Sequence, residues 1–458
     1  MPSVPSRLTL ERDARRLWHP YTQAAVVPPP IPIARGQGAW LWDEDGRRYI
    51  DAISSWWVTT HGHAQPEIAA AIARQAAELE QVIFAGFTHR PAAELAEKLA
   101  AILPAGLSRI FYSDDGSTAV EVALKMALQY WRNQGEPRRR GFIALEYAYH
   151  GDTAAAMAVG APSPFTAAFA PLLFPVARAH AAYCHRCPVG LRRETCHIEC
   201  LDRLEQLLRA EGEQTAAVIL EPLLQGAGGM IVHPREFLAG VRRLCDQYGV
   251  LLIADEVLTG FGRTGTMFAC QQAEVTPDIL CLSKGLTGGF LPLAVTACRE
   301  EIYQAFYSTD RRKTLFHGHS YTANPVGCAA ALASLALFEE PETWERIRRI
   351  GRQHAARLAR LTGDAKTAGK IADARQIGTV AALELRGGAR GESAEDDAEI
   401  IEEGYLSSLG LKLQKFYLDH GVILRPLGPI VYVLPPYSIS AADLETVWDV
   451  IAASLEVI

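Results

Sequence analysis

The chain has 458 residues, of which 49% are hydrophobic and 21% charged, as expected for a globular protein with two or three domains. Its formal net charge of −7 argues against a general nucleic-acid-binding surface, because such surfaces are basic. The N-terminus lacks the apolar core of a signal peptide, and no apolar run approaches the roughly 18 residues of a membrane span. We therefore expect a cytoplasmic protein with reduced cysteines.

The N-terminal region predicts an arm followed by a small sheet. Residues 1–35 are rich in proline and arginine, which favours an extended arm rather than a domain core. A hairpin follows, with Asp45-Gly46 in its turn. In the next run, Ser54-Ser55-Trp56-Trp57, the adjacent tryptophans would point to opposite faces if the run is extended. At least one could then line a pocket, and we expect the other to do no more than pack in the core.

A helical, alanine-rich pattern covers Pro66 to about Leu103, and a strand is predicted at Arg109–Ser113. This strand leads into the turn Gly116-Ser117 and then into a helix that ends near Trp131. A strand, a small-residue turn and a helix N-terminus together bind phosphate, because backbone N–H groups and the helix dipole converge there. Taken alone, the turn is better explained as an ordinary helix N-cap, and its position before the cofactor-like centre of the chain is what favours a phosphate site.

Two further strands carry polar residues at their ends. The strand at 141–145 leads into a loop with Tyr149 and Asp152. The strand at 216–220 ends at Glu221, and Gln225 follows shortly after. A buried glutamate at a strand end is more often structural than catalytic, so Glu221 and Gln225 are second choices for site residues.

Four of the nine cysteines lie close together in the sequence: Cys184, Cys187, Cys196 and Cys200. Cys-x-x-Cys followed by Cys-x-x-x-Cys is typical of a zinc site. The gap between the two pairs is short, however, and ordinary surface loops also carry cysteines. We predict no metal in the functional site, and a zinc ion or a disulfide at these cysteines stays an alternative.

The centre of the chain combines a carboxylate and an amine. The apolar run 250–254 ends at Asp255, and the run 279–282 leads to Lys284. Such runs predict buried strands of a parallel sheet, whose carboxyl ends bind ligands. Pyridoxal phosphate needs a lysine for its Schiff base and an acidic partner for its ring nitrogen. The two side chains therefore suggest this cofactor.

After Lys284 the sequence predicts a strand at 293–296, followed by the motif 316–325 and a long alanine- and leucine-rich helix from Pro325. From about Thr362 the elements become shorter. Strands are predicted at 379–385 and 422–426, with an acidic loop between them, and Arg425 lies at the end of the second strand.

Residues 255–265, Asp-Glu-Val-Leu-Thr-Gly-Phe-Gly-Arg-Thr-Gly, and the later Ser-Lys-Gly at 283–285 resemble the pattern of class III, fold-type I aminotransferases. The resemblance extends over about residues 15–455. It implies an α/β fold, with a large domain built on a mostly parallel seven-stranded sheet flanked by helices and a smaller α+β domain built from both termini. The implied boundaries are 1–65 for the arm and part of the small domain, 66–340 for the large cofactor domain, and 341–458 for the C-terminal small domain.

The resemblance also implies roles for individual residues. Lys284 binds pyridoxal phosphate, Asp255 keeps its ring nitrogen protonated, and Tyr149 stacks on its ring. Its phosphate is held by Gly116 and Ser117 and, across a homodimer interface, by Ser320. Catalytic roles are implied for Lys284, Asp255 and Tyr21, and substrate contacts for Trp56, Tyr149, Lys284, Gly318, Arg425 and Tyr432.

Four features are similar to the diaminopelargonate-forming branch of this family, which aminates 8-amino-7-oxononanoate in biotin biosynthesis with S-adenosylmethionine as donor. They are residues 18–22, the run 54–57, the motif 149–153 with Asp152, and Arg425-Pro426 with its downstream tyrosines and prolines. An arginine suits the acceptor's carboxylate, because it can form a charge-assisted bidentate bond. Aromatic walls around the acceptor chain would come from Tyr21, Trp56, Trp57 and Tyr432.

Two alternatives stay open. The motif His317-Gly318-His319-Ser320-Tyr321 departs from the His-Gly-Pro-Thr-Phe of many adenosylmethionine-using members, so lysine is the alternative donor. A broad ω-aminotransferase acting on diamines or β-amino acids shares every cofactor residue and is the alternative function. A cofactor-sensing DNA-binding regulator is disfavoured, because about 35 residues before the enzyme-like region are too few for its extra domain.

Overall fold

The computed structural model describes residues 4–386 and 408–456. Most of the predicted acidic loop falls on 387–407 and lies outside the described residues. Across the two described ranges, no helix is long and apolar enough to cross a membrane.

The strands of the described chain fall into four sheets. They are β1 (Ile33–Gln37), β2 (Trp40–Asp43), β3 (Arg48–Asp51), β4 (Leu107–Ser113), β5 (Gly141–Leu145), β6 (Ala177–Ala179), β7 (Thr215–Leu220), β8 (Leu224–Gln225), β9 (Ile231–Val232), β10 (Leu251–Asp255), β11 (Ile279–Leu282), β12 (Ala294–Arg299), β13 (Ile371–Ile377), β14 (Val380–Leu385), β15 (Val422–Ile423) and β16 (Ile430–Val433). The longer helices span Val4–Arg16, Pro66–Glu78, Arg90–Ile102, Gly116–Asn133, Asp202–Glu211, Arg235–Tyr248, Pro325–Phe338, Pro341–Gly363, Ser408–Asp419 and Ala441–Glu456, and shorter ones span Ala154–Val159, Pro164–Ala167 and Glu300–Phe306.

A seven-stranded sheet in the order β4-β12-β11-β10-β7-β5-β6 forms the centre of the molecule. Only β12 runs antiparallel to its neighbours among these strands. Every residue of β7, β10 and β11 is buried. Successive residues such as Leu252 and Ile253 pack into different core clusters, because side chains alternate between the two faces of a strand. The predicted mostly parallel sheet with both faces covered is confirmed.

The smaller part of the fold joins the two ends of the chain. In the four-stranded sheet β1-β2-β3-β15, the N-terminal strand β3 pairs in parallel with β15, so Ile50 faces Val422 and Asp51 faces Ile423. A three-stranded sheet, β13-β14-β16, lies beside it in the chain's C-terminal part. A smaller domain built from both termini is therefore confirmed, while the residue boundaries given above stay a prediction.

Three local expectations were wrong. Residues Val4–Arg16 form a helix rather than an extended arm. The alanine-rich pattern is divided into two helices, and the second starts where the ring of His89 accepts a hydrogen bond from the N–H of Ala92 at 3.2 Å. The long helix expected from Pro325 ends at Phe338, and a new one starts at Pro341, because proline lacks an N–H and fits only the first turn of a helix.

Candidate active site

Lys284 and Asp255 lie at the same edge of the central sheet. Asp255 is the last residue of β10 and faces Cys281 of the parallel strand β11. Lys284 follows β11 directly after Ser283, in a turn where its own φ is +46°. The Lys284 Nζ lies 4.9 Å from the ring centre of Trp57. The sheet therefore brings a half-buried lysine and a buried carboxylate to the same edge.

The surroundings of Lys284 lower the pKa of its amine and so favour the neutral, nucleophilic form. Burial lowers its pKa from 10.5 to about 8, because the ammonium form loses its water. The carboxylates of Asp255 and Glu221 oppose this shift of the pKa, and the guanidinium of Arg263 adds to it. A lysine with such a pKa has a larger neutral fraction near physiological pH than an ordinary lysine, and Schiff-base formation needs the neutral amine.

Asp255 has a partner that the sequence analysis did not name. The Nδ1 of His150 lies 2.7 Å from Asp255 Oδ2, and both side chains are buried. Asp255 Oδ1 accepts a hydrogen bond from the N–H of Val257 at 3.1 Å. Within the described chain, His150 Nε2 is buried and has no hydrogen-bond partner. The only signal in the sequence was the position of His150 directly after Tyr149.

Glu221 belongs to the same group of ionisable side chains as Lys284, Asp255 and His150, whereas Gln225 does not. Glu221 accepts hydrogen bonds from the N–H groups of Tyr149 (3.0 Å) and Gly226 (2.9 Å). Burial raises the pKa of Glu221 to about 7, with His150 opposing the rise and Asp255 adding to it. Gln225 instead bonds the carbonyl of Glu146 and the ring of His233, so it ties loops together.

The shifted pKa of Glu221 predicts a stability change with pH. The pKa of Glu221 is above the ordinary 4.5. Its contribution to the free energy of unfolding is therefore fully present below pH 4.5 and is lost as the pH rises through 7. Relative to Glu221→Gln, the free energy of unfolding of the wild type should fall by about 2 kcal/mol between pH 5.5 and pH 8. Urea unfolding of the cofactor-free proteins measures this. Glu213→Gln, at a side chain that is 80% exposed, is the control, and parallel pH curves for wild type and Glu221→Gln would contradict the assignment.

The turn after β4 has the geometry expected for a phosphate site. Asp115 is the N-cap of helix Gly116–Asn133, and its carboxylate accepts from the N–H of Thr118 at 2.8 Å. Gly116 and Ser117 are thus the first residues of the helix, whose N–H groups have no partner inside it. A Cβ on Gly116 would lie 2.5 Å from a methyl carbon of Val257. Only glycine fits this turn, which lies against the loop that follows Asp255.

Ser117 is held by the loop after β5. Its Oγ lies 2.7 Å from Thr153 Oγ1 and accepts a hydrogen bond from the N–H of Thr153 at 2.9 Å. Gly151 has a φ of +122°, and a Cβ there would lie 2.3 Å from Ser117 Oγ. The same loop carries Tyr149 and His150, so the phosphate turn and the ring-stacking candidate are fixed to each other.

Three polar groups meet at the aromatic side of the site. The hydroxyl of Tyr21 donates a very short hydrogen bond to Asp152. Burial, then Asp152 and Tyr21, raise the pKa of Tyr149, so its hydroxyl stays protonated. The ring of Tyr21 packs edge-on against Trp56 and Phe165, with centroids 5.4 and 5.6 Å apart.

Arg425 faces the same aromatic surface. Its guanidinium carbon lies 5.0 Å from the ring centre of Trp56, close enough for a cation–π contact. Among the described residues, no carboxylate lies within ion-pair distance of Arg425 (the described chain has many other ion pairs). The aromatic surface thus carries a cation that is not neutralised by the described part of the chain.

The run that carries Trp56 is not extended. Ser54, Ser55, Trp56 and Trp57 all have positive φ, of 52°, 45°, 72° and 76°; we call these four residues the left-handed turn. Each such residue costs about 1–2 kcal/mol relative to a right-handed conformation. The turn still separates the tryptophans, since Trp56 is 40% exposed and Trp57 only 5%.

Trp57 does more than pack in the core, contrary to expectation. Its ring lies under the amine of Lys284, and its Nε1 donates to the hydroxyl of Tyr432 at 3.1 Å. Tyr432 itself is fully buried behind Trp57.

Gly318 and Ser320 do not join this cluster in the single chain. Both are exposed, and the carbonyl of Ser320 accepts a hydrogen bond from Gln81 at 2.5 Å. The intervening His319 Nε2 lies 3.7 Å from Asp114 Oδ1, which places this segment beside the start of the phosphate turn.

The clustered cysteines line one small cavity. Its volume is about 20 Å³, and its lining includes Cys184, Cys187, Cys196 and Cys200. All nine cysteines are free thiols. No three histidine, cysteine, aspartate or glutamate side chains in the described ranges are arranged to hold a metal ion.

Comparison with known proteins gives one family. A model of the family "Aminotransferase class-III" matches residues 21–455. A Geobacter sulfurreducens protein named adenosylmethionine-8-amino-7-oxononanoate aminotransferase is 42% identical over 100% of this chain and 99% of its own length.

Solved structures agree with this family. The crystal structure of the Methanocaldococcus jannaschii protein of the same name has a TM-score of 0.88 and 36% identity, covering 98% of this chain and 99% of that one. An (S)-enantioselective omega-transaminase from Thermomicrobium roseum has a TM-score of 0.89 and 31% identity, covering 98% of both chains. The chain therefore belongs to the class III aminotransferases, and it is a pyridoxal-phosphate-dependent transaminase with the type I fold.

Proposed function

We propose that the protein transfers an amino group to 8-amino-7-oxononanoate, forming 7,8-diaminononanoate for biotin synthesis, with S-adenosylmethionine as donor. The names of the Geobacter and Methanocaldococcus relatives support this substrate pair. The observation that carries the proposal is the unneutralised Arg425 on the aromatic surface of Tyr21 and Trp56. An acceptor with an apolar chain and a terminal carboxylate matches that combination.

The residues present fit the cofactor. An amine with a lowered pKa, a buried carboxylate and the N–H groups of a glycine-led helix would hold its aldehyde carbon, ring nitrogen and phosphate, respectively. When bound, pyridoxal phosphate supplies an electron sink for the carbon from which a proton is removed. We assign its binding to Lys284, Asp255, Tyr149, Gly116 and Ser117.

We assign a separate role in the reaction to each residue of the site. Lys284, as a free amine, would take the proton from the donor's Cα as general base and deliver it to C4′ of the cofactor as general acid. Asp255 holds a proton at the ring nitrogen, and His150 fixes the orientation of that carboxylate. Tyr21, held by Asp152, closes the site beside Tyr149.

The partner subunit is part of the proposal. We propose a cytoplasmic homodimer in which Ser320 and Gly318 of one subunit reach the phosphate side of the other. Their exposure in the single chain, next to the phosphate turn through His319 and Asp114, supports this arrangement. The domain boundaries 1–65, 66–340 and 341–458 are proposed with it.

Replacing Arg425 should weaken acceptor binding specifically. Arg425→Ala is expected to raise the KM for 8-amino-7-oxononanoate about tenfold to a hundredfold, because it removes a charge-assisted hydrogen bond. Arg425→Lys should recover only part of the loss. The wild type should prefer the acid to its methyl ester, and Arg425→Ala should not distinguish them. Arg48→Ala removes an arginine stacked on Trp40 instead and is the control. A preference for the acid that survives in Arg425→Ala would show that another group binds the carboxylate.

A broad ω-aminotransferase is the alternative function, since the Thermomicrobium enzyme has a TM-score of 0.89. Lysine is the alternative donor, because His319 and Ser320 depart from the adenosylmethionine-using pattern.

Single-turnover absorbance spectra test these choices together. The cofactor-loaded protein is mixed with S-adenosylmethionine, with lysine and with a simple diamine, and the absorbance of the lysine-bound cofactor is followed. Loss of that absorbance with S-adenosylmethionine alone, and its recovery on adding 8-amino-7-oxononanoate, is expected. A response to lysine alone would change the donor, and a response to diamines alone would replace the proposed function by the alternative.

A further inference from the structure

The left-handed turn is held in an unfavourable conformation at the edge of the site. Its four residues in succession have positive φ, and none of them is glycine. Such backbone persists only where the surroundings over-determine it, and it is concentrated at binding and catalytic sites. The contacts that hold this turn therefore bear on function.

The middle of the turn is held by one buried carboxylate. Asp51, at the end of β3, is 0% exposed. Its Oδ2 accepts hydrogen bonds from Ser55 Oγ at 3.0 Å and from His63 Nε2 at 2.8 Å. Its Oδ1 accepts from the N–H of Ile53 at 3.2 Å, just before the turn. Asp51 thus contacts both the entry to the turn and the residue directly before Trp56.

The two ends of the turn are held by a different segment. Ser54 Oγ donates to the carbonyl of Leu434 at 2.8 Å, and Trp57 Nε1 donates to Tyr432 at 3.1 Å. These anchors fix Trp57 under Lys284. Within the described ranges, Trp56 has no such bond at its own ring, which faces Tyr21 and Arg425. Its direction depends on the backbone at Ser55, and hence on Asp51.

We propose that Asp51 and His63 are positioning residues for acceptor specificity, which keep the left-handed turn in the conformation that presents Trp56 to Arg425. His63 acts through Asp51, since its Nε2–H fixes the carboxylate oxygen that Ser55 also uses. Neither residue touches the reacting atoms. This inference rests on the proposed function, because it assigns the Trp56–Arg425 surface to the acceptor chain.

The test combines a loss and a rescue. In Asp51→Asn the single amide oxygen can accept from Ser55 and His63 or from the N–H of Ile53, but not from all three, because the amide nitrogen only donates. The KM for 8-amino-7-oxononanoate should rise at least tenfold, while cofactor content and the absorbance of the lysine-bound cofactor stay within twofold of wild type. Adding Ser55→Gly should bring the KM back at least threefold, because glycine adopts positive φ without steric cost. If Asp51 only stabilised the fold, cofactor content would fall together with acceptor affinity, and Ser55→Gly would not restore the KM.

Asp43→Asn is the matched control, because Asp43 caps the neighbouring hairpin through Arg47 and Tyr49 and does not contact the turn. An unchanged KM in Asp51→Asn, or a loss of cofactor as large as the rise in KM, would overturn the inference. If Asp51→Asn does not fold, His63→Leu with and without Ser55→Gly gives the same comparison, because leucine has no donor for Asp51. Failure of the proposed function can be distinguished from failure of this inference. In that case the wild type itself would not use 8-amino-7-oxononanoate, and the variants would be compared on the substrate that the wild type does use.

Discussion

Lys284→Ala is expected to abolish transamination, with turnover falling by at least about a thousandfold, the range in which general acid–base residues act. The variant should also lose the visible absorbance of the lysine-bound cofactor while still binding it through the phosphate turn. Both losses are expected from one group, because we propose that the half-buried amine of Lys284 is at once the covalent anchor and the proton carrier. Absorbance spectra and single-turnover rates measure the two effects.

The matched control is Lys98→Ala, which removes an exposed lysine paired with Glu339 and should leave both readouts unchanged. Added ethylamine should restore a small part of the Lys284→Ala rate, since a free amine can enter the space left by the side chain. Turnover above a tenth of wild type without added amine would show that another group carries the proton.

Asp255→Asn should keep the cofactor and lose about a hundredfold to ten-thousandfold in turnover. The amide has the shape of the carboxylate but no charge, so it cannot hold a proton at the ring nitrogen or stabilise positive charge there. Cofactor content by absorbance and single-turnover rates give the two quantities. Near-normal turnover would remove Asp255 from the mechanism.

His150→Phe serves as the companion variant, because it leaves the Asp255 carboxylate but removes the donor at 2.7 Å. Its turnover should fall between wild type and Asp255→Asn. A rate equal to wild type would mean that Val257, the other donor to Asp255, is sufficient to orient the carboxylate.

The elements around Asp255 and Lys284 were predictable because their strands are apolar throughout. A strand covered on both faces is apolar at every position and does not alternate between apolar and polar residues. The bounds of β10 and β11 could therefore be predicted to within a residue. Polar residues at the ends of such strands then have one natural location, the ligand-binding edge. Resemblance added the residues at distant positions, such as Tyr21 and Arg425, and the structure brings both to Trp56.

Other features depend on contacts that no local pattern encodes. Positive φ at four successive non-glycine residues opposes local propensity, and it is held by Asp51, Leu434 and Tyr432 from other strands and loops. The partner of His150 depends on the distance between the ends of β5 and β10, which spacing along the chain does not give. The helix Val4–Arg16 was missed because the prolines nearby favoured an extended reading, although proline is tolerated in a helix's first turn.

The pairing of β3 with β15 also limits the order in which the sheets can form while the chain is being synthesised. The strand that supports the Trp56 surface is made early, but its neighbour begins at Val422, so the sheet cannot close until β15 has been synthesised. The strands that deliver Asp255 and Lys284 are complete much earlier and belong to a sheet that needs no residue after Arg299. Domains generally fold as the chain emerges. The strands that carry Asp255 and Lys284 can therefore pair before β3 can pair with β15.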